Sequence, residues 1–144
     1  MPFTTEELDR TFRTNVYAMF WLCRAALPRM KAGTTIINTA SIQAYDPSPN
    51  LLAYAPTKAA IVNFTKALSP LAMKKGVRVN AVAPGVILLP EGWDDTVGER
   101  LRRTTPLKRL GSVNDVVGAV IYLVEADYVT GETIVVDGGR HVRR

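Results

Sequence analysis

The chain has 144 residues, 47% of them hydrophobic, a net charge of +5 at neutral pH, one cysteine and one histidine. That length and apolar content give one modest domain with material for a core, and no apolar stretch approaches the length of a membrane span. A lone Cys23 excludes an intrachain disulfide, and a lone His141 excludes a multi-histidine metal site and argues against a histidine-based triad. The basic residues are scattered, with clusters at Lys74-Lys75, Arg102-Arg103 and the tail 140–144, and no nucleic-acid module accompanies them. They read as solvated charge rather than a nucleic-acid face, and His141 reads as a surface residue of the tail. The first residues lack a signal-peptide pattern, which together with the cysteine usage gives a cytoplasmic expectation.

In chain order, Thr4 and Glu7 have the spacing of a capping box and open a helix predicted over 5–31. Leu8, Phe12, Val16, Tyr17, Phe20, Cys23, Leu27 and Met30 follow helical spacing up to a stop at Gly33. Cys23 lies on that stripe and reads as a buried structural thiol, since nothing nearby in sequence would activate it. Asn15 neighbours the stripe. Residues 34–40 then read as a short buried strand that delivers Ser41 at its carboxyl end, the end where open α/β sheets bind ligands.

Tyr54 follows Ser41 by thirteen residues, and Lys58 follows Tyr54 by four. Residues four apart on a helix share a face, so charge at one acts on the other. A phenol titrates near pH ~10 in water, and a neighbouring ammonium lowers that value by favouring the phenolate. A serine hydroxyl nearby can hydrogen-bond the oxygen that gains or loses the proton. The three residue types make a proton-transfer site for carbonyl/alcohol interconversion, to which a hydride donor must be added. Pro56 lacks an amide donor, so the helix predicted over 53–75 becomes regular only after it, and Tyr54 sits in an irregular first turn.

Gly76 ends that helix, and residues 77–83 form a second strand closing on Pro84-Gly85. In the following segment Trp93 reads as a loop anchor rather than a cap on a flat substrate, and Glu91, Asp94 and Asp95 as helix-start and solvent-facing charges. Ser112 caps a further helix running to about Glu125, and residues 132–137 give a third strand. Strands joined by helices imply parallel neighbours with right-handed crossovers. The first strand is then expected to carry a bare, apolar edge, open to aggregation or partner pairing. The sequence has no Gly-x-Gly, and its first glycine is Gly33, so it offers no glycine-rich turn to cradle a pyrophosphate at a helix amino terminus.

In this order the elements resemble the short-chain dehydrogenases/reductases of the classical type, over nearly the whole chain. Asn15-Val16 looks like the family's helix asparagine, Ser41 its serine, and Tyr54 and Lys58 its tyrosine and lysine. The run from Val79 to Gly85 looks like the strand and turn facing the nicotinamide, and Tyr128 to Gly131 with Val136 to Gly139 like the last strand and its closing turn. The resemblance implies an α/β fold: a partial Rossmann-type parallel sheet with flanking helices, one domain over 1–144, lacking the N-terminal glycine-rich nucleotide-binding unit. Truncation is the simplest account.

The same resemblance implies a small-molecule carbonyl or alcohol substrate, NADP or NAD as cofactor with NADP slightly favoured, and pairing of copies through helices 5–31 and 53–75. It makes Tyr54 the acid/base, Lys58 the residue that lowers its pKa and binds the nicotinamide ribose, and Asn15 the support of a proton relay through a water near Lys58. Tyr54, Lys58 and the backbone of Pro84, Gly85, Val86 and Ile87 would hold the cofactor. Leu88 and Leu89 stand where many members have a cofactor-bonding threonine. The Leu-Pro-Glu run and the Asp137-Gly138-Gly139 ending look like the bacterial pteridine-reductase branch, whereas residues 39–45 look closer to a sugar- or aldehyde-type branch. The alternative is a truncated, catalytically incompetent fragment acting as an association module. Epimerisation or dehydration, as in longer relatives, is disfavoured by the short ending.

Overall fold

A computed structural model describes residues 3–89, 92 and 94–142. Helix α1 (Thr5–Phe12) opens on the anticipated capping box. Glu7 N–H donates to Thr4 Oγ1 at 3.2 Å, and Thr4 N–H donates to Glu7 Oε2 at 2.8 Å. A π-helical turn (Arg13–Tyr17) follows, then α2 (Ala18–Ala26) and a single 3₁₀ turn (Leu27–Arg29). The predicted helix over 5–31 is therefore one path whose hydrogen-bond pattern widens around Asn15. That widening shifts the phase of the buried stripe. Val16, Met19 and Cys23 face the core, while Tyr17 and Phe20, expected on the stripe, are 44% and 49% exposed.

The remaining regular elements are β1 (Thr35–Thr39), α3 (Ala55–Met73), β2 (Arg78–Pro84), α4 (Asp95–Thr104), α5 (Val113–Glu125) and β3 (Thr133–Val136). The strands form one parallel sheet in the order β1-β2-β3, with Ile37 opposite Asn80 and Ala83 opposite Val135. β2 is the central strand, and its residues from Arg78 to Ala83 are all buried. Both faces of a central parallel strand are covered, so polar Arg78 and Asn80 are buried along with the apolar residues. Helix α3 packs Ile61 against Met19, Cys23, Ala40 and Ala83, and packs Ala72 against Val77 and Val79. Tyr54 is the residue flanking α3 and Pro56 lies in its first turn, as the missing amide requires.

Among the described residues β1 pairs only with β2. A groove of about 400 Å³ lies between β1 and the π turn with α2, lined by Thr14, Asn15, Leu22, Ile37, Thr39 and Lys58 among others. No helix among the described residues is long and apolar enough to cross a membrane.

One buried charge was not anticipated. The Arg78 side chain leaves the central strand and donates to Leu123 O at 2.7 Å and Val124 O at 2.8 Å, satisfying the last carbonyls of α5. Asn80 performs a similar service, donating to Val129 O at 2.8 Å and accepting from Glu132 N–H at 3.0 Å. Arg78→Met is expected to leave those α5 carbonyls unpaired and to lower stability by about 2–4 kcal/mol. A urea midpoint equal to that of the wild type would contradict this role.

Candidate active site

Parallel strands bring their carboxyl ends to one edge of the sheet, and that edge gathers Ser41 after β1, Gly85 after β2 and Asp137 after β3. Ser41 has an extended backbone (φ −166°, ψ 159°) and caps a short 3₁₀ turn (Ile42–Ala44), its Oγ accepting from Gln43 N–H at 3.2 Å. Tyr54 stands at the start of α3, and Lys58 lies one turn along the same face. Lys58 Nζ is 5.3 Å from the centre of the Tyr54 ring and donates to Thr39 O at 3.0 Å. The lysine thus ties the first turn of α3 to the end of β1.

Burial pushes the Tyr54 phenol above its ordinary value, and a hydrogen bond with the Ser41 side chain only partly offsets this. Burial likewise lowers the Lys58 ammonium. The expected lowering of Tyr54 by Lys58 is therefore not what this arrangement gives. The ammonium is engaged by the Thr39 carbonyl, and desolvation of the phenolate dominates. A phenol that stays protonated at neutral pH is a ready donor to a carbonyl oxygen.

Asn15 lies within the π turn, and its Nδ2 donates to Thr57 Oγ1 at 3.0 Å. Thr57 Oγ1 donates in turn to Tyr54 O at 2.6 Å. One N–H of the asparagine amide is therefore engaged with the residue beneath Tyr54. Thr57, fully buried, was missed in the sequence, where only its position three residues after Tyr54 could have pointed to it.

Gly85 is held on two sides. Its N–H donates to Val136 O at 2.9 Å, and a Cβ placed on it would lie 2.6 Å from Asp137 Cβ. The carbonyl of Val86 accepts from Gly111 N–H at 2.9 Å. These bonds hold the Pro84 to Ile87 segment at the edge that carries Ser41. Leu88 is largely exposed at 73%. The readings of Trp93 and Glu91 fall outside the described residues. Asp94 accepts from Val97 N–H at 3.0 Å and caps α4, as expected of a helix-start charge. Ser112 caps α5 through Asp115 N–H at 3.2 Å.

Cys23 is buried, and burial raises its thiol, in keeping with a structural residue. His141, expected as a free surface residue, is instead part-buried, with Nδ1 2.7 Å from Asp137 Oδ2. A larger concavity of about 810 Å³ beside α4 is lined by Asp95, Thr96, Glu99, Arg100, Arg103 and Thr104. None of Asn15, Ser41, Tyr54 and Lys58 borders it.

Comparison with known proteins places this arrangement. A family model described as enoyl-(acyl carrier protein) reductase matches residues 1–141. The glucose and ribitol dehydrogenase of Daucus carota is 42% identical over 139 residues, covering 93% of this chain and 48% of its own length. The chloroplastic NADPH-dependent aldehyde reductase 1 of Arabidopsis thaliana is 40% identical over 147 residues, covering 94% of this chain and 51% of its own length. A crystal structure of a short-chain dehydrogenase from Leptospira borgpetersenii with bound NAD+ superposes with a TM-score of 0.89 at 31% identity, over 96% of this chain and 58% of that one. The chain spans about half the length of the curated relatives it matches. On the matched residues, the parallel sheet and the superposition, the chain belongs to the short-chain dehydrogenase/reductase family.

Proposed function

We propose that this chain carries the acid–base and nicotinamide-facing half of a cytoplasmic NAD(P)-dependent oxidoreductase that interconverts small carbonyl compounds and alcohols. The observation that carries the reading is the meeting of Ser41, Tyr54 and Lys58 at the carboxyl end of β1, with Lys58 Nζ 5.3 Å from the Tyr54 ring. Tyr54 donates its phenolic proton to the carbonyl oxygen, and Ser41 hydrogen-bonds that same oxygen. Lys58 holds the first turn against Thr39 and offers its remaining donors to a ribose. The backbone of Pro84, Gly85, Val86 and Ile87 lies at the same edge and would line a nicotinamide ring. When bound, the dinucleotide supplies or accepts the hydride.

The residues present suit the nicotinamide-ribose end of such a cofactor. Gly85 packs so closely on Asp137 that the turn presents backbone rather than a side chain. The chain has no Gly-x-Gly for the pyrophosphate. One relative is NADPH-dependent and one neighbour holds NAD+, so both nucleotides are candidates. The sugar-alcohol and aldehyde relatives support an aldehyde, aldose or polyol substrate over a pteridine. Titration of the 144-residue chain with NADPH and NADH, followed by nucleotide fluorescence, is expected to saturate in the micromolar range for at least one nucleotide. Absence of binding by folded chain would refute the nicotinamide-facing role.

A second reading, association through the two long helices, has its own support. Phe20 and Trp21 are 49% and 54% exposed, and Phe20 lines a shallow apolar depression with Phe64, Leu68 and the exposed Leu71 of α3. Such a patch suits pairing between copies of this chain. Trp21→Glu is expected to shift the sedimentation coefficient to that of a smaller species. An unchanged coefficient would contradict pairing through this face.

A further inference from the structure

The turn after β3 joins two walls of the proposed site. At one end Asp137 packs on Gly85, where an added Cβ would lie 2.6 Å from Asp137 Cβ. At the other end the His141 ring lies 6.0 Å from the Tyr45 ring, at 50°. Tyr45 closes the short turn begun at Ser41: Ala44 N–H donates to Ser41 O at 3.0 Å, and Tyr45 N–H to Ile42 O at 2.9 Å. The chain from 137 to 141 therefore reaches from the nicotinamide-facing turn to the serine turn.

Its conformation is held by one carboxylate. The Asp137 side chain is 4% exposed. Its Oδ1 accepts from Gly139 N–H at 2.9 Å, while Oδ2 accepts from His141 N–H at 2.6 Å and lies 2.7 Å from His141 Nδ1. Burial pushes this carboxyl up, but the hydrogen bonds from His141 and Gly139 outweigh it and keep it below the usual carboxylate range. An ionised carboxylate only accepts, so Nδ1 is the ring nitrogen that carries a proton toward Asp137. Nε2 is then the ring's remaining polar atom. The His141 side chain keeps 26% of its surface and Tyr45 is 45% exposed, so both rings keep accessible surface beside the Ser41 turn.

We infer that His141, oriented by Asp137 and packed on Tyr45, forms the substrate-selecting rim of the site and favours hydroxylated carbonyl or alcohol substrates by hydrogen bonding through Nε2. This rests on the oxidoreductase reading. A hydroxyl-bearing substrate gains a hydrogen bond at such a rim that an analogue without the hydroxyl cannot make, and once bound substrate covers Nε2 the analogue leaves it unpaired. The two ends of the turn also explain why a residue so close to the carboxyl terminus is built into the structure rather than left in solvent.

His141 is the only histidine, so its imidazole signals in NMR need no assignment. In the 144-residue chain with NAD+ present, Nδ1 is expected to carry a proton held on Asp137, and ribitol is expected to move the ring signals where propanol does not. Asp137→Ala removes every acceptor for Nδ1 and should shift the ring signals. In kinetics, His141→Ala should lower the preference for D-erythrose over propanal, as a ratio of kcat/KM, by about 10-fold, expressed mainly in KM for the aldose. Imidazole signals unmoved by ribitol in folded chain, or an unchanged preference in His141→Ala, would overturn the inference. The two readings fail separately. Tyr54-dependent turnover with an indifferent His141 sinks only the rim, whereas a ribitol-sensitive ring without turnover sinks the oxidoreductase reading.

Discussion

Tyr54→Phe is expected to lower NAD(P)H-dependent carbonyl reduction by about 10²–10⁴-fold, the usual contribution of a positioned general acid. The substitution deletes one oxygen and keeps the ring that packs at the head of α3, so the thermal unfolding transition should persist. Because burial holds the Tyr54 phenol above its ordinary value, it remains protonated across neutral pH. Reduction, which uses the phenol as donor, should then be flat between about pH 6 and 9. Alcohol oxidation, which needs the phenolate as acceptor, should climb with pH over the same interval, because the phenolate fraction rises toward the raised pKa. Initial rates in both directions across that interval check this. Reduction falling steeply from pH 6 to 8 would instead mean that an acid of lower pKa donates the proton.

Gly85→Ala is expected to be the most damaging small substitution. Its Cβ would meet Asp137 Cβ at 2.6 Å and Asp137 Cα at 2.8 Å, and a backbone atom cannot swing aside as a flexible side chain can. The turn must then part from β3, straining the bond from Gly85 N–H to Val136 O and moving the segment that would face a nicotinamide. Overpacking of this kind costs about 1–3 kcal/mol. Both the unfolding midpoint and nucleotide affinity should fall. Gly118→Ala serves as the control, since a Cβ there meets nothing within 4 Å. Equal behaviour of the two variants would contradict a close-packed turn.

The elements that carry Ser41, Tyr54 and Lys58 were legible because their signals are local. An apolar run ending in Ser41, a Tyr and Lys four apart, and a proline in the first helical turn each fix a short stretch of backbone. The strand bounds, the capping box at Thr4 and the open edge of β1 follow from the same kind of signal. The π turn at Asn15 was not legible, since one extra residue in a hydrogen-bonded loop leaves composition and spacing almost unchanged. The partnership of Asn15 with Thr57 spans 42 residues, and that of Arg78 with the end of α5 spans 45. Pairings at such separation are set by packing. The pKa of Tyr54 was misjudged for a related reason: sequence spacing brings Lys58 near, but only the fold reveals how far burial outweighs it. His141 looked free because its partner Asp137 is buried by Gly85, a contact between two strand ends that no local pattern announces.

Isotope transfer tests the central claim most directly. The 144-residue chain would be incubated with an aldehyde and nicotinamide nucleotide deuterated at the transferring carbon of the ring, and the alcohol product analysed by mass spectrometry. The account predicts one deuterium at the former carbonyl carbon, and loss of that product in Tyr54→Phe. Unlabelled alcohol, label that survives Tyr54→Phe undiminished, or no alcohol at all from folded chain saturated with nucleotide would contradict it.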